Sequence, residues 1–126
     1  MSRIRFALGG LALVALVGAF VGSGLAAVKK PAVTTTTVKV SGKEFHFTLS
    51  QKSIAKPGKV IFKFTNAGTE GHNFVILSGI NKGTPVIGAK KTATLTVTFK
   101  KKGTYTYECT VGEHAEEGML GTFVVK

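Results

Sequence analysis

The stretch TATLTVTFKKKGTYTYEC, residues 92–109, holds two runs in which threonine alternates with apolar or aromatic residues. A strict period of two is typical of β-strands that bury one face and leave the other in water. The buried face of the first run would consist of Ala93, Leu95, Val97 and Phe99. Tyr105, Tyr107 and Cys109 would form that of the second. The intervening KKKG, residues 100–103, predicts a solvated hairpin turn.

The same alternation continues in both directions from this stretch. It recurs in TTVKV, EFHFTLS, VIFKFTN, HNFVIL and MLGTFVV, which are separated by glycine-containing turns such as KPGK and NAGTEG. Seven or eight short antiparallel strands in a chain of this length predict an all-β domain, a Greek-key β-sandwich. No helix is predicted after the N-terminal segment.

The N-terminal segment has the features of an export signal. Arg3 and Arg5 precede an uncharged, apolar run from Phe6 to Val28, and small residues precede a cleavage position at Ala27. A signal peptide over residues 1–26 is one interpretation. The other is an uncleaved leader helix that anchors the chain, because the run could span a membrane core of ~30 Å. Both predict an exported domain, in the periplasm or at the outer face of the cytoplasmic membrane. A polar linker, residues 27–34, would lead into a domain over residues 35–126.

The charge and the composition of the chain argue against several classes of function. The chain carries a net charge of +11 with six acidic residues, and none of the acidic residues is Asp. A Ser-His-Asp arrangement is therefore excluded, no pair of carboxylates stands out, and we do not expect an enzyme. Nucleic acid is not an expected partner, since the exported part has no Arg and no aromatic-basic cluster. The lysine-rich surface could associate with an anionic membrane or cell-wall polymer, and a monomer is expected.

A lone thiol is unusual in an exported domain, where cysteines normally pair as disulfides. Cys109 lies in YECTVGEHAEEGMLG, residues 107–121, which also holds His114 and Met119. Cys109 would end one strand and Met119 would start the next, so that both lie at the same end of the sandwich. His72, at the start of HNFVIL, is in phase with the apolar face of its own strand.

A thiolate, two imidazoles and a thioether are the ligand set of a mononuclear copper electron-transfer site, with the methionine as a long axial ligand. The soft sulfur ligands favour Cu(I), whereas imidazole suits both oxidation states. Zinc could occupy the cysteine and the two histidines, but a thioether is not a zinc preference. His46 would point to the wet face of its strand and is not expected to be a ligand.

The pattern G-H-N-F followed by Y-x-C-x₄-H-x₄-M-x-G resembles the cupredoxins, the small blue copper proteins related to plastocyanin and azurin. The spacing before the methionine is similar to that of rusticyanin-like members. The resemblance implies that His72, Cys109, His114 and Met119 are the copper ligands. It also implies that Asn73 and Thr110 tie the two ligand segments together.

Two functions remain open for such a site. The first is a blue copper protein that carries single electrons between redox proteins, one a donor and one an acceptor. The alternative is copper delivery or sequestration with the same ligands. Five of the six glutamates lie in or beside the ligand segments. We interpret three of them, Glu113, Glu116 and Glu117, as a docking face for a basic redox partner.

Overall fold

The computed structural model describes Gly24 and residues 26–126. The chain divides into two compact units, Met1–Lys30 and Pro31–Lys126. Almost all of the predicted leader, residues 1–26, lies outside the described residues, and so does most of the proposed spanning run. Within the described part of the chain, no helix has the length and the apolar character needed to cross a membrane.

The second unit is built from β-strands, and the all-β prediction is confirmed. The strands are β1 (Thr35–Lys43), β2 (His46–Leu49), β3 (Ser53–Ile54), β4 (Gly58–Asn66), β5 (Val75–Ile76), β6 (Lys82–Gly83), β7 (Thr92–Phe99), β8 (Gly103–Glu108) and β9 (Leu120–Val125). The predicted number was seven or eight. The structure has nine strands in residues 26–126, of which three are only two residues long.

The strands form two sheets, one with the order β2-β1-β4-β7 and one with the order β3-β9-β8-β5-β6. The expectation of antiparallel pairing is wrong for two pairs, since β1 pairs with β4 and β3 pairs with β9 in parallel. Side chains alternate with the same period in both kinds of pairing, so the sequence pattern does not distinguish them.

The period of two places one face of each long strand in a common core. Val60, Phe62 and Phe64 on β4 are fully buried, whereas the intervening Lys63 is exposed. The rings of Phe62 and Phe123 lie 5.3 Å apart, which joins the two sheets across the interior. A slip of one residue in register would exchange the buried and exposed sets, so the alternation fixes the register.

The segment KKKG joins β7 to β8, but it is not a hairpin turn. β7 pairs with β4 in one sheet and β8 pairs with β5 and β9 in the other. The connection therefore crosses between the sheets. Its lysines are exposed as predicted. A glycine-containing turn between two alternating runs is a local signal, and it does not specify whether the runs pair with each other.

Strand directions gather the predicted ligands at one end of the sandwich. β1 and β4 run toward this end, and β7 leaves it, because β4 and β7 are antiparallel. In the other sheet β8 ends there and β9 begins there. We call this the ligand end and define it by the loops 44–45, 67–74 and 109–119. The opposite end carries the loops 50–52, 55–57 and 100–102, and we call it the lysine end.

Candidate metal centre

Cys109 follows β8 directly and continues its inward-facing side, so its thiol is buried. Its backbone N–H donates to the carbonyl of Met119 at 3.0 Å, which closes the loop between the two residues. Met119 stands just before β9, so the two sulfur residues flank the top of a paired β-hairpin. The backbone position of each of these residues is therefore set by sheet pairing.

The loop between these residues folds back on itself to carry His114 inward. The backbone N–H of His114 donates to Val111 at 3.1 Å, and the N–H of Met119 donates to the carbonyl of His114 at 2.9 Å. Glycines with positive φ at Gly112 and Gly118 make both reversals of the chain. His114 is buried as a result, although it lies in a loop whose other residues are largely exposed.

His72 reaches the same place from a different part of the chain. It forms an isolated antiparallel bridge with Ile87, with backbone bonds of 3.1 and 2.9 Å between the two residues. The strand predicted to begin at His72 is confined to Val75–Ile76, but His72 and Phe74 keep the inward phase and are fully buried. The two residues between His72 and β5, Asn73 and Phe74, are outside the strand but do not change which side the imidazole faces.

The side chains of His72, Cys109 and His114 meet in one buried cluster, the only such group of potential metal ligands in residues 26–126. The two Nδ1 atoms lie 3.1 Å apart. The sulfur of Cys109 lies 3.9 Å from Nδ1 of His72 and 3.6 Å from Nδ1 of His114. Three of the four predicted ligands are therefore brought together with their donor atoms facing one another.

The dimensions of this triangle suit a single metal ion. A first-row ion that binds imidazole nitrogen at about 2.0–2.1 Å and thiolate sulfur at about 2.3 Å separates its ligand atoms by no more than about 4.4 Å. Every edge of the triangle is shorter than that. Each Nε2 faces a carboxylate oxygen that can only accept, so in the neutral rings the proton is on Nε2 and the two Nδ1 lone pairs face and repel each other. A cation between the nitrogens removes that repulsion.

Met119 is fully buried, and its backbone is hydrogen-bonded to those of Cys109 and His114. Its side chain lies against Gly42 of β1, where an added Cβ would come within 3.0 Å of the methionine Cε and 2.7 Å of the Phe64 ring. A side chain at position 42 would therefore compete with the thioether for space. This packing places Met119 between the two sheets, and its role as the axial ligand stays a prediction.

The two segments that supply the ligands are joined by a pair of side-chain hydrogen bonds. Nδ2 of Asn73 donates to Oγ1 of Thr110 at 2.8 Å, and the backbone N–H of Thr110 donates to Oδ1 of Asn73 at 2.8 Å. Each residue directly follows a predicted ligand, His72 in one case and Cys109 in the other. The reciprocal pair fixes the distance between the two ligands without help from a metal.

The structure adds a carboxylate that the sequence did not reveal. Glu44, in the turn between β1 and β2, accepts the Nε2 hydrogen of His72 at 3.2 Å. The same oxygen accepts the backbone N–H of Glu70 at 2.7 Å and that of Thr69 at 2.6 Å. These bonds, the one from Glu70 first, hold the pKa of Glu44 down at about 2. An added Cβ at Gly68 would collide with this carboxylate.

A second carboxylate contacts the other histidine. Oε2 of Glu70 lies 3.1 Å from Nε2 of His114, and the Glu70 side chain is about half exposed. His114 also packs against Phe45, with ring centres 4.9 Å apart. The remaining histidine, His46, is exposed on the outer face of β2 and contributes nothing to the cluster. Glu113, Glu116 and Glu117 lie on the same loop as His114 and are exposed, and we call these three residues the acidic rim.

The family model for the cupredoxin-like domain matches residues 12–125 of the chain. The chain belongs to the cupredoxin-like family. The family assignment agrees with the resemblance carried by the two ligand segments, and the buried histidine-cysteine-histidine cluster is consistent with a type 1 copper site. No protein among the curated sequences matches the chain.

Solved structures with the same fold include two auracyanins and rusticyanin. The auracyanin of Roseiflexus castenholzii is 22% identical, with a TM-score of 0.64, and the match covers 75% of this chain and 98% of that one. Auracyanin A of Chloroflexus aurantiacus, a blue copper protein, is 21% identical with a TM-score of 0.61, covering 74% and 100%. Rusticyanin is 24% identical with a TM-score of 0.60, covering 78% and 84%. At these identities the likeness establishes the cupredoxin fold.

Proposed function

We propose that this cupredoxin is an exported blue copper protein that carries single electrons between redox proteins and turns over no substrate of its own. The observation that carries the proposal is the buried triangle of two Nδ1 atoms and one sulfur, with edges of 3.1, 3.6 and 3.9 Å. His72, Cys109 and His114 would hold the ion, and Met119 would lie at the axial position.

The arrangement of the protein groups supports electron transfer. The ligands are fixed by sheet pairing, by the Asn73–Thr110 pair and by backbone bonds within the ligand loop. Groups held in this way move little when the charge at the site changes. Bound copper would supply the one-electron chemistry, and the ligand set combines soft sulfur with imidazole, so neither oxidation state is strongly preferred.

The route for electrons is proposed to pass through His114. It is the most exposed of the four proposed ligands, since about a tenth of its side chain is exposed whereas His72 and Met119 are fully buried. The exposed residues of the acidic rim, Glu113, Glu116 and Glu117, lie on the same loop as His114. They would attract a basic redox partner to this rim and orient it for transfer.

A visible absorption spectrum of the purified Cu(II) protein tests this proposal. Thiolate coordination should give an intense absorption that disappears in the Cys109→Ser variant, because a hydroxyl is a poor ligand for this site. The matched control is Thr110→Ser, a conservative change at the next residue, which should keep the colour. A colourless wild-type Cu(II) protein, or a Cys109→Ser variant that stays blue, would contradict the proposal.

The same spectrum separates electron transfer from copper delivery. A delivery protein should bind Cu(I) with little blue absorption after oxidation and should release copper to a chelator readily. A second measurement also distinguishes an electron carrier from a delivery protein. Metal analysis after repeated cycles of oxidation and reduction gives the amount of copper that the protein has retained. An electron carrier keeps one ion per chain through such cycles, since its ligands are fixed before the metal enters.

A further inference from the structure

Each histidine of the cluster has a carboxylate on its outer nitrogen. Glu44 accepts from Nε2 of His72 at 3.2 Å, and Glu70 accepts from Nε2 of His114 at 3.1 Å. We propose that Glu44 and Glu70 are positioning residues that orient the two imidazoles and shift the bound copper toward Cu(II). This inference rests on the proposed function, since it requires that the site bind copper.

The first consequence of the geometry concerns which nitrogen carries the proton. A carboxylate only accepts, so each Nε2 must be the protonated nitrogen of its ring. The lone pair of a neutral ring is then on Nδ1, and both Nδ1 atoms face the sulfur of Cys109. The two carboxylates therefore select the tautomer and the ring orientation that a metal ion requires.

The two carboxylates are held to different degrees. Glu44 is mostly covered, with about a fifth of its side chain exposed, and one of its oxygens is fixed by two backbone N–H groups of the loop that leads to His72. Glu70 is half exposed and makes one side-chain contact, to His114. The effect of Glu44 should therefore be the larger, because exposed charges are screened by water and salt.

The direction of the electronic effect follows from charge. Both ligating imidazoles are neutral, so the carboxylates add two negative charges close to the metal position. Negative charge stabilises Cu(II), which carries one positive charge more than Cu(I). A carboxylate on the outer nitrogen also raises the basicity of the imidazole, which again favours Cu(II). Both effects lower the reduction potential.

The test is the reduction potential of the copper-loaded full-length protein, measured by spectroelectrochemistry in high salt. Glu44→Gln keeps an oxygen that accepts from the loop amides and from His72 but removes the charge. We expect about a tenfold shift toward Cu(I), equal to a rise of about 59 mV for a one-electron couple. Glu70→Gln should raise the potential by a smaller amount.

The matched control is Glu108→Gln. Glu108 directly precedes the ligand Cys109 and loses the same charge, but its side chain bonds to no imidazole within residues 26–126. Potentials of Glu44→Gln and Glu70→Gln that equal the control, or fall below it, would overturn the inference. If Glu44→Gln does not retain copper, the Glu70→Gln variant decides alone. A reduction potential above that of the control supports the inference, and a potential equal to that of the control overturns it.

Failure of this inference differs from failure of the proposed function. If the wild-type protein is blue and the potentials do not respond, the copper site stands and the carboxylates do not tune it. If the wild-type protein binds no copper, the proposed function itself fails. A Glu44→Asp variant adds a further readout, because restoring the charge at position 44 should return the potential toward that of the wild type.

Discussion

The two ends of the sandwich differ in charge and in the way they are built. All six acidic residues of the chain are at the ligand end, either in its loops or, for Glu108, at the end of β8. The lysine end carries Lys52, Lys56 and the exposed run of residues 100–102. Lysine also occurs at the ligand end, where Lys90 donates to the carbonyl of Ala67 at 3.1 Å.

The construction of the two regions differs as much as their charge. The sandwich body depends on apolar alternation, and many sequences with the same pattern would satisfy it. The ligand end depends on individual polar bonds, such as those of Glu44 with two backbone amides and of Asn73 with Thr110. We therefore expect the body to supply stability and the ligand end to supply the metal chemistry, and each can be perturbed separately.

The largest expected effect is a loss of stability from the body. Phe62 is fully buried and its ring lies 5.2 Å from Phe74 and 5.3 Å from Phe123. Phe62→Ala should lower the free energy of unfolding by about 3–5 kcal/mol, through lost burial and a cavity. Urea unfolding of the copper-free protein measures this.

The control for that change is its neighbour on the opposite face of β4. Lys63→Gln alters an exposed side chain and should stay within about 0.5 kcal/mol of the wild type. Equal loss in both variants would mean that the core assignment of β4 is wrong. A loss of unfolding free energy in Phe62→Ala alone would show that stability depends on the buried face of β4 and not on its exposed face.

An intermediate effect is expected from Met119→Gln, which alters the ligand end and leaves the body intact. An amide oxygen is harder than a thioether and favours Cu(II), so the reduction potential should fall while copper stays bound. We expect a change of about tenfold or more in the Cu(II)/Cu(I) ratio, which is about 59 mV. Voltammetry of the copper-loaded protein measures the potential.

The control is Leu120→Gln at the adjacent, half-exposed position. It introduces the same amide outside the cluster, and the potential should not move. An unchanged reduction potential in Met119→Gln would contradict the assignment of Met119 as the axial ligand. A similar shift in both variants would indicate a general effect of substitution at the start of β9.

The smallest effect is expected from the charges of the acidic rim. Replacing Glu113, Glu116 and Glu117 together by Gln should slow reduction by hexaammineruthenium(II), a cationic reductant, by about threefold or more at low salt. The difference should shrink as salt rises, because exposed charges are screened over ~8 Å at physiological ionic strength. Stopped-flow kinetics measure the rate, and the copper spectrum should be unchanged.

The matched variant changes three charges at the other end of the molecule. Replacing Lys100, Lys101 and Lys102 by Gln should leave the reaction with the cation nearly unchanged. The competing hypothesis is that the lysine-rich body docks the partner. In that case the variant that lacks the three rim glutamates would be reduced at the wild-type rate. The variant that lacks the three lysines would be reduced more slowly by an anionic reductant.

The sequence predicted most of the body because strand periodicity is a local property. Alternation in residues 92–99 identified the buried Leu95, Val97 and Phe99 without any knowledge of their partners. It did not predict that β1 and β4 are parallel, or that β7 and β8 belong to different sheets. Strand pairing joins distant segments, and the same alternation satisfies either direction and either sheet.

The candidate site also has features that the sequence predicted and features that only the fold revealed. The sequence alone predicted the ligand chemistry, because a lone cysteine, two histidines and a methionine at these spacings leave few alternatives. The structure brings His72, Cys109 and His114 together as one buried cluster. Only the tertiary structure revealed Glu44, which lies 25 residues before Thr69 in the chain yet bonds to its amide and to His72. A carboxylate acts on an imidazole through distance and orientation, and folding alone brings those two residues into contact.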